Sequence, residues 1–476
     1  MNRKTFVNKF VDAIEKGNSA IFAGAGLSMS QGYVSWSGLL KESASEIGLD
    51  VTKESDLVTV AQYYKNSQGG SRGLIDEMIL EEFGKKVKVS RNHEILASLP
   101  IDTYWTTNYD HLIEDSLRNV QKTPSVKLNY KQLAKTQPDI DATVYKMHGD
   151  IDNVTDTVIT RDDYERYDDK TYSLFKETLK GNLLTKTFLF LGFSFTDPNL
   201  ERILTDIRWV IKDGGRPHYS IMKKVKKSDF EDENGDVDSE KYSYEKIKRE
   251  LQIIDLKRFS INVLEVDSYD EITDVLNEIK NKYLKKTIYI SGSAEVYEPF
   301  EKNDAEIYIE KLAYGLVEHK YKIVSGFGKG VGSFVINGVL SNKRKTGQRK
   351  IDNTLILKPF PQNSKKEWTE YRKEQISECG VCIFVFGNKY DEKKNIVFAD
   401  GMEEEFDIAI EQGKIVIPIG YTGYISEKLF SKVLDNFDNY FKLEFKDEFI
   451  KIFKNKPNEV RVEKIVNEII SFIKKI

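Results

Sequence analysis

Three segments bring together residues able to do chemistry. Ala20-Ile21-Phe22-Ala23-Gly24-Ala25-Gly26-Leu27-Ser28 is an apolar run ending in a Gly-Ala-Gly turn. Trp105-Thr106-Thr107-Asn108-Tyr109-Asp110 and Lys146-Met147-His148-Gly149-Asp150 follow in that order. A glycine turn behind a strand lets backbone approach a pyrophosphate and aims a helix N-terminus at its charge. The amide of Asn108 both donates and accepts, so it can hold a hydroxyl or a water in line. An imidazole titrates near ~6.5 and can take a proton at neutral pH, which makes His148 a candidate base. Singly, each has a plainer explanation: His-Gly is commonly a turn and Asn-Tyr-Asp a helix cap. Their order along one chain makes them a candidate dinucleotide site with its catalytic groups attached.

Such groups need a sheet to stand on. The 476 residues exceed one ordinary core, so two or three domains are expected. Residues 4–16 carry apolar side chains at helical spacing (Phe6, Phe10, Val11, Ile14), as do residues 56–64 and 71–83 around the Gly69-Gly70 break. Core strands are predicted at 102–106 and 143–147, as second and third, and further strands at 188–191, 219–222 and 261–266. The run at 188–191 ends in another turn, Gly192-Phe193-Ser194, followed by Asp197-Pro198 and a helix from about Asn199. Residues 229–243, acidic and glycine-containing, read as a surface insertion. A charged helix over 269–283 closes this half, which sets domains of 1–283 and 284–476. The pattern then restarts with strands at 287–290, 323–325, 354–357, 381–386 and 414–419. Alternating strands and helices predict an α/β chain of two Rossmann-like, doubly wound parallel-sheet domains in series.

The second half carries a cradle of its own. Gly292 and Ser293 end its first strand, and Gly326, Gly328, Gly330 and Gly332 crowd the turn before a helix with Lys329 among them, a pattern suited to phosphate. Arg372 can make bidentate phosphate contacts, Lys389 supplies a second cation and Glu404 can accept from ribose hydroxyls.

Composition narrows the classes. Hydrophobic residues at 40% and aromatics at 12% suit a folded chain, and a net charge of −4 offers no basic excess to nucleic acid. The N-terminus leads into an amphipathic segment, and no apolar run approaches the ~18 residues of a membrane span. A cytoplasmic protein without nucleic-acid or membrane partners is expected. The two cysteines, Cys379 and Cys382, exclude both a disulfide framework and a four-thiolate zinc site. Their Cys-x-x-Cys spacing is that of redox motifs, but they open the apolar strand at 381–386, which favours packing.

Over roughly residues 1–280 the chain resembles the sirtuin NAD-binding fold on four pieces in order: residues 24–28, Thr107-Asn108-Tyr109-Asp110, His148-Gly149 and Gly192-Phe193-Ser194. The resemblance implies that Ala23, Gly24, Ala25, Gly26 and Ser28 hold the NAD+ phosphates. It implies that Asn108 and His148 flank the nicotinamide ribose as catalytic residues, that Asp110 contacts the carboxamide, and that Gly192 and Ser194 hold the adenosine side. Nicotinamide in NAD+ is already cationic, so its glycosidic bond breaks without a general acid. What it needs is stabilisation of an oxocarbenium-like centre and a base for the incoming oxygen. Two departures separate the chain from sirtuin deacylases. Their zinc module of two Cys-x-x-Cys pairs is missing, since this half has no cysteine, and residues 29–36 lack the arginine of their cofactor loop. Water becomes the expected acceptor, giving an NAD+ glycohydrolase that releases nicotinamide and ADP-ribose, with NAD+ as substrate and no metal.

The second half is similar to the SLOG family of nucleotide binders, related to the lonely-guy phosphoribohydrolases. The similarity rests on Ser291-Gly292-Ser293, Ser325-Gly326-Phe327-Gly328-Lys329-Gly330, Glu370-Tyr371-Arg372-Lys373, Phe386-Gly387-Asn388-Lys389 and Gly401-Met402-Glu403-Glu404-Glu405. Phe398-Ala399-Asp400-Gly401-Met402 replaces the hydrolases' Pro-Gly-Gly-x-Gly-Thr loop, which implies binding without turnover. The two halves in series resemble the NAD+-depleting effectors of bacterial Thoeris anti-phage defence. That resemblance implies that Gly292, Ser293, Gly328, Lys329, Gly330, Arg372, Lys389 and Glu404 bind a cyclic ADP-ribose isomer made by a TIR-domain partner. It also implies allosteric activation of the sirtuin-like site and a homo-tetramer or larger assembly. Two alternatives stay open: a sirtuin-type NAD-dependent protein deacylase, whose nicotinamide release depends on an acyl-peptide, and a non-catalytic nucleotide-binding scaffold, which consumes no NAD+.

Overall fold

Seven strands build the first sheet: β1 (Ser19–Ala23), β2 (Thr103–Thr106), β3 (Pro124–Lys127), β4 (Ala142–Lys146), β5 (Thr187–Leu191), β6 (His218–Lys223) and β7 (Ile261–Val266). They run parallel in the order β3-β4-β2-β1-β5-β6-β7. The computed structural model describes residues 1–135, 137–166, 170–195, 197–211, 215–232, 235–348, 351, 354–360, 367–455 and 462–476. The chain folds as two compact units, Met1–Lys280 and Asn281–Ile476.

Every residue of β1, β2 and β5 is buried, as expected for central parallel strands covered on both faces. Phe22 on β1 stacks on Phe190 of β5 with ring centroids 5.3 Å apart, and Phe188, Trp105 and Met147 extend the same core. The first helix, Arg3–Glu15, begins where the Asn2 side chain accepts the Thr5 N–H, and it turns Phe6, Phe10, Val11 and Ile14 inward. A strand at Pro124–Lys127 was not expected, so the run predicted as the third strand is the fourth. The expected surface insertion at 229–243 is partly helical: a 3-10 turn spans Lys227–Phe230, and a 19-residue helix starts at Ser239. Residues 233 and 234 within it lie outside the described residues.

The second unit repeats the logic with β8 (Thr287–Ser293), β9 (Lys322–Ser325), β10 (Leu355–Leu357), β11 (Val381–Phe386) and β14 (Ile415–Pro418). They form a parallel sheet in the order β10-β9-β8-β11-β14. An antiparallel hairpin of β12 (Asn388–Tyr390) and β13 (Ile396–Phe398) stands apart and was not foreseen. β11 is buried throughout, and Cys379 and Cys382 lie in this core as free thiols, their sulfurs in hydrogen-bond contact at 3.5 Å. Among the described residues no helix is long and apolar enough to cross a membrane.

Candidate active site and nucleotide cradle

Strand register gathers the four motifs of the first unit. Ala23 pairs with Thr106 on one side and with Leu191 on the other, and Thr106 pairs with Lys146. Gly24 and Gly192 therefore follow strand ends that lie side by side, while Asn108 and His148 each stand two residues beyond a paired end. The chain leaves β1 for β2 on one side and reaches β5 on the other. A crevice opens at such a switch point, outside the carboxyl ends of the strands, where open α/β sheets bind ligands.

The two glycine turns are built against each other. Gly24 N donates to the Leu191 carbonyl and Gly26 N to the Gly192 carbonyl, both at 2.9 Å. A Cβ on Gly26 would come within 2.9 Å of Gly192 Cα, and one on Gly192, whose φ is +62°, would overlap the Leu27 nitrogen. Backbone packing thus demands these glycines before any ligand arrives. Ala23 and Ser28 are buried, Ala25 is half-buried and Gly26 is exposed. Ser194 stands on the exposed part of the second turn, where its carbonyl accepts from Gln252 Nε2 at 3.0 Å.

Asn108 fastens β2 to the first turn. Its Nδ2 donates to the Gly24 carbonyl and to Ser28 Oγ, each at 3.1 Å, and its backbone N–H donates to Thr106 Oγ1. With Nδ2 engaged, the amide oxygen is the atom left to accept from a ligand. Asp110 does two things. Its Oδ1 accepts the Leu112 N–H at 2.9 Å, the helix-start role its sequence suggests, while its buried Oδ2 has no hydrogen-bond partner among the described residues. Beneath both, the fully buried Lys146 donates to the carbonyls of Tyr109 and Asp110 and pairs with Asp150 and Glu114. Burial works to raise the Asp150 pKa, yet the facing His111 and Lys146 hold it down at about 2. Burial raises the pKa of Glu114.

His148 sits 6% exposed at the end of β4, and the positive φ of Gly149 turns the chain behind it. Its Nε2 lies 3.1 Å from Asp197 Oδ2, and Tyr164 meets its ring edge to face at 5.5 Å. Burial works to raise the Asp197 pKa, but His148, the Leu200 N–H and the Tyr164 hydroxyl hold it below the ordinary carboxylate value.

In the second unit the glycine loop folds onto the end of β8. Ala294 N donates to the Lys329 carbonyl at 2.8 Å, and Tyr297 OH to the Gly330 carbonyl at 2.8 Å. A Cβ on Gly328 would overlap the Gly292 carbonyl, and one on Gly330 the Ala294 carbonyl. Ser293 Oγ donates to the Asn388 carbonyl at 3.1 Å. The three cations expected to grip phosphate are all paired internally: Lys329 with Glu295 at 2.6 Å, Lys389 with Asp400, and Arg372 with Glu404 at 2.6 Å. Arg372 also lies over Phe360 and Trp368, at 5.1 and 5.7 Å, and reaches Glu405 at 3.5 Å. A nearby groove of about 490 Å³ is walled by Asp400, Glu403, Glu404, Asp407 and Glu411 against Lys373. Its acidity does not suit a diphosphate.

Comparison with known proteins agrees with both halves. The SIR2-like domain family matches residues 102–246, and the Sir2- and TIR-associating SLOG family matches residues 271–476. "NAD(+) hydrolase ThsA" of Enterococcus faecium is 57% identical over 477 residues, covering 100% of this chain and 99% of its own. Its namesake from Bacillus cereus (strain MSX-D12) is 46% identical over 98% of this chain and 97% of its own. The chain belongs to the ThsA family. A third ThsA relative, from Acinetobacter baumannii (strain 532279), is 39% identical over 99% of both chains.

Within this ThsA-family chain several functional neighbours escape motif reading. Asp197 and Tyr164 flank His148 from helices of their own. Lys146 clamps the Asn108–Asp110 turn. Glu295 and Asp400 occupy the cations of the cradle. Only Asp197-Pro198 carries a local signal, the pattern of a helix N-cap followed by proline at the first helical position.

Proposed function

We propose that the chain hydrolyses NAD+ to nicotinamide and ADP-ribose at the strand-end crevice of its first unit, under control of a cyclic ADP-ribose isomer bound by its second. The observation that carries this reading is the convergence of Gly24, Asn108, His148 and Gly192 on one switch point, in a chain matched end to end by relatives named NAD(+) hydrolase.

In this reading the glycine turns seat the pyrophosphate, and the free amide oxygen of Asn108 orients a ribose hydroxyl or the attacking water. Asp110 Oδ2 accepts from the nicotinamide carboxamide. The C1′–N bond breaks with its electron pair returning to the nicotinamide ring nitrogen, which neutralises the pyridinium. Water supplies the new C1′–O bond, and His148 takes its proton and passes it to solvent. Nicotinamide, ADP-ribose and one proton leave.

Activation follows from exchange of ion-pair partners in the second unit. A diphosphate entering the glycine loop must displace Glu295, Glu404 or Asp400 from Lys329, Arg372 or Lys389, so ligand binding rewires that unit. Preference of the ligand for the active arrangement by a hundredfold shifts the population by ~2.7 kcal/mol. The reading includes a TIR-domain partner that makes the activator, a homo-tetramer or larger, and a cytoplasmic location. Nicotinamide release by purified protein with and without the product of a TIR-domain NADase tests it. Activator-dependent release is expected, and no release under either condition contradicts it.

A further inference from the structure

The side chain of one residue in the second unit's glycine loop adds nothing to the core. Gly328 and Gly330 make room for the carbonyls of Gly292 and Ala294, and Lys329 pairs with Glu295. Gly326 packs inward: a Cβ there would lie 3.0 Å from Phe360 Cε2, on the ring that also carries the Arg372 guanidinium. Phe327, next in line, is 50% exposed and lies outside the apolar cluster of this unit. Its φ is +57°, a left-handed backbone that suits glycine and is rare for bulky side chains. Glycine stands at 326, 328, 330 and 332, yet this strained position between them holds a phenylalanine. Neither the strain nor the half-exposed ring favours folding, which points to a use outside the fold.

The ring has a defined place. A Cβ on Gly332 would come within 2.6 Å of Phe327 Cα and 3.0 Å of its Cδ2, so Phe327 leans on the first residue of helix Gly332–Lys345. A phosphate seated in the loop faces that same helix end. Other rings against the loop are engaged: Tyr289 and Tyr297 are buried, and Phe360 lies under Arg372.

We propose that Phe327 is the stacking platform for the purine ring of the activating nucleotide. The proposal rests on the functional reading given above. One ribose joins the purine to the diphosphate, so a base beside the loop meets the residue that borders the phosphate seat. Lys329, Arg372, Lys389 and Glu404 are suited to phosphate and ribose, and none of them offers a flat apolar face. Stacking removes one face of the phenyl ring and one of the purine from water, in the offset arrangement that aromatic pairs prefer.

The test compares full-length wild type with Phe327→Tyr, Phe327→Leu and Phe327→Gly. It measures the unliganded thermal unfolding midpoint and the concentration of TIR-domain NADase product that gives half-maximal nicotinamide release. Phe327→Tyr keeps the ring and should respond within about twofold of wild type. Phe327→Leu keeps apolar bulk without a flat face, and Phe327→Gly removes the side chain. Both should need about 10- to 100-fold more product, the usual loss for one stacked base. The unliganded midpoint of Phe327→Gly should hold or rise, because glycine accepts the left-handed backbone. A wild-type response in Phe327→Leu or Phe327→Gly overturns the proposal, as does a loss in Phe327→Tyr equal to that in Phe327→Leu. A Phe327→Gly that melts well below wild type overturns it by making the ring part of the fold. One whose unliganded assembly is smaller by light scattering overturns it by making the ring a contact between copies. If wild type responds to the product and Phe327→Leu matches it, the functional reading stands and only this proposal falls. If wild type does not respond at all, both fall together.

Discussion

Arg372 holds Glu404 at 2.6 Å, Nη1 to Oε2, while its guanidinium lies over the rings of Phe360 and Trp368. The arginine is therefore already oriented, and Gly401 makes room for it, since a Cβ there would overlap Nη2. An anionic ligand gains this cation by competing with Glu404. Arg372→Ala should raise the activator concentration needed for half-maximal NAD+ cleavage by about 100-fold, in line with loss of a partner from a desolvated charge pair. NAD+ binding to the first unit should be unchanged. Titration of activity with the TIR product, beside calorimetric NAD+ binding, checks both halves.

Asn108→Ala and His148→Ala should each abolish NAD+ cleavage for different reasons. The first removes the amide oxygen left for ligand and also orphans the Gly24 carbonyl and Ser28 Oγ, so a stability loss of about 1–2 kcal/mol should accompany it. Thermal melts beside nicotinamide assays distinguish this from general unfolding.

Gly192→Ala tests the packing of the two turns. It demands a left-handed backbone from alanine and drives a methyl into the Leu27 nitrogen, so a loss beyond about 1–3 kcal/mol and an inactive site are expected. Gly17→Ala is the control: φ there is +66°, but nothing lies within 4 Å of the added carbon. It should cost only about 1 kcal/mol and leave catalysis intact. Urea unfolding of both variants measures the difference.

Acid should weaken the first unit well above the carboxylate range. Burial pushes the pKa of His218 down to about 3 and that of His93 to about 4, the latter against the pull of Asp110. Unfolded, each titrates near ~6.5, so below that pH the unfolded chain binds protons that the folded one refuses. Their stabilising contribution is present above about 6.5 and is lost as pH falls toward 4 and 3; the depressed Asp150 adds a further loss between about 4 and 2. Unfolding free energy should drop by about 2–4 kcal/mol between pH 7 and 5. His218→Gln, which can still accept the Phe188 N–H, should remove roughly half of that slope in urea titrations at several pH values.

The buried central strands β1, β5 and β11 were legible because parallel strands covered on both faces must be continuously apolar. β3 was not: Pro124-Ser125-Val126-Lys127 lies at a sheet edge and carries one branched apolar side chain. The β12–β13 hairpin exposes Tyr390 and Phe398 to solvent and so leaves no alternating pattern to read. In the site, the motifs mark strand ends, where a short segment sets geometry by itself. The Asp197–His148 contact spans 49 positions and exists only because the chain crosses from β4 to β5, which no local spacing encodes. For the same reason Lys329, Arg372 and Lys389 read as free cations in sequence, whereas Glu295, Glu404 and Asp400 become their neighbours on folding.

The most direct measurement is nicotinamide released from NAD+ by the purified full-length chain, with and without the product of a TIR-domain NADase and without any acyl-peptide. Slow release is expected from the chain alone, fast release with the product, and none from His148→Ala in either case. Release that requires an acyl-peptide, or no NAD+ loss with the product present, would contradict hydrolysis of NAD+ by water under nucleotide control.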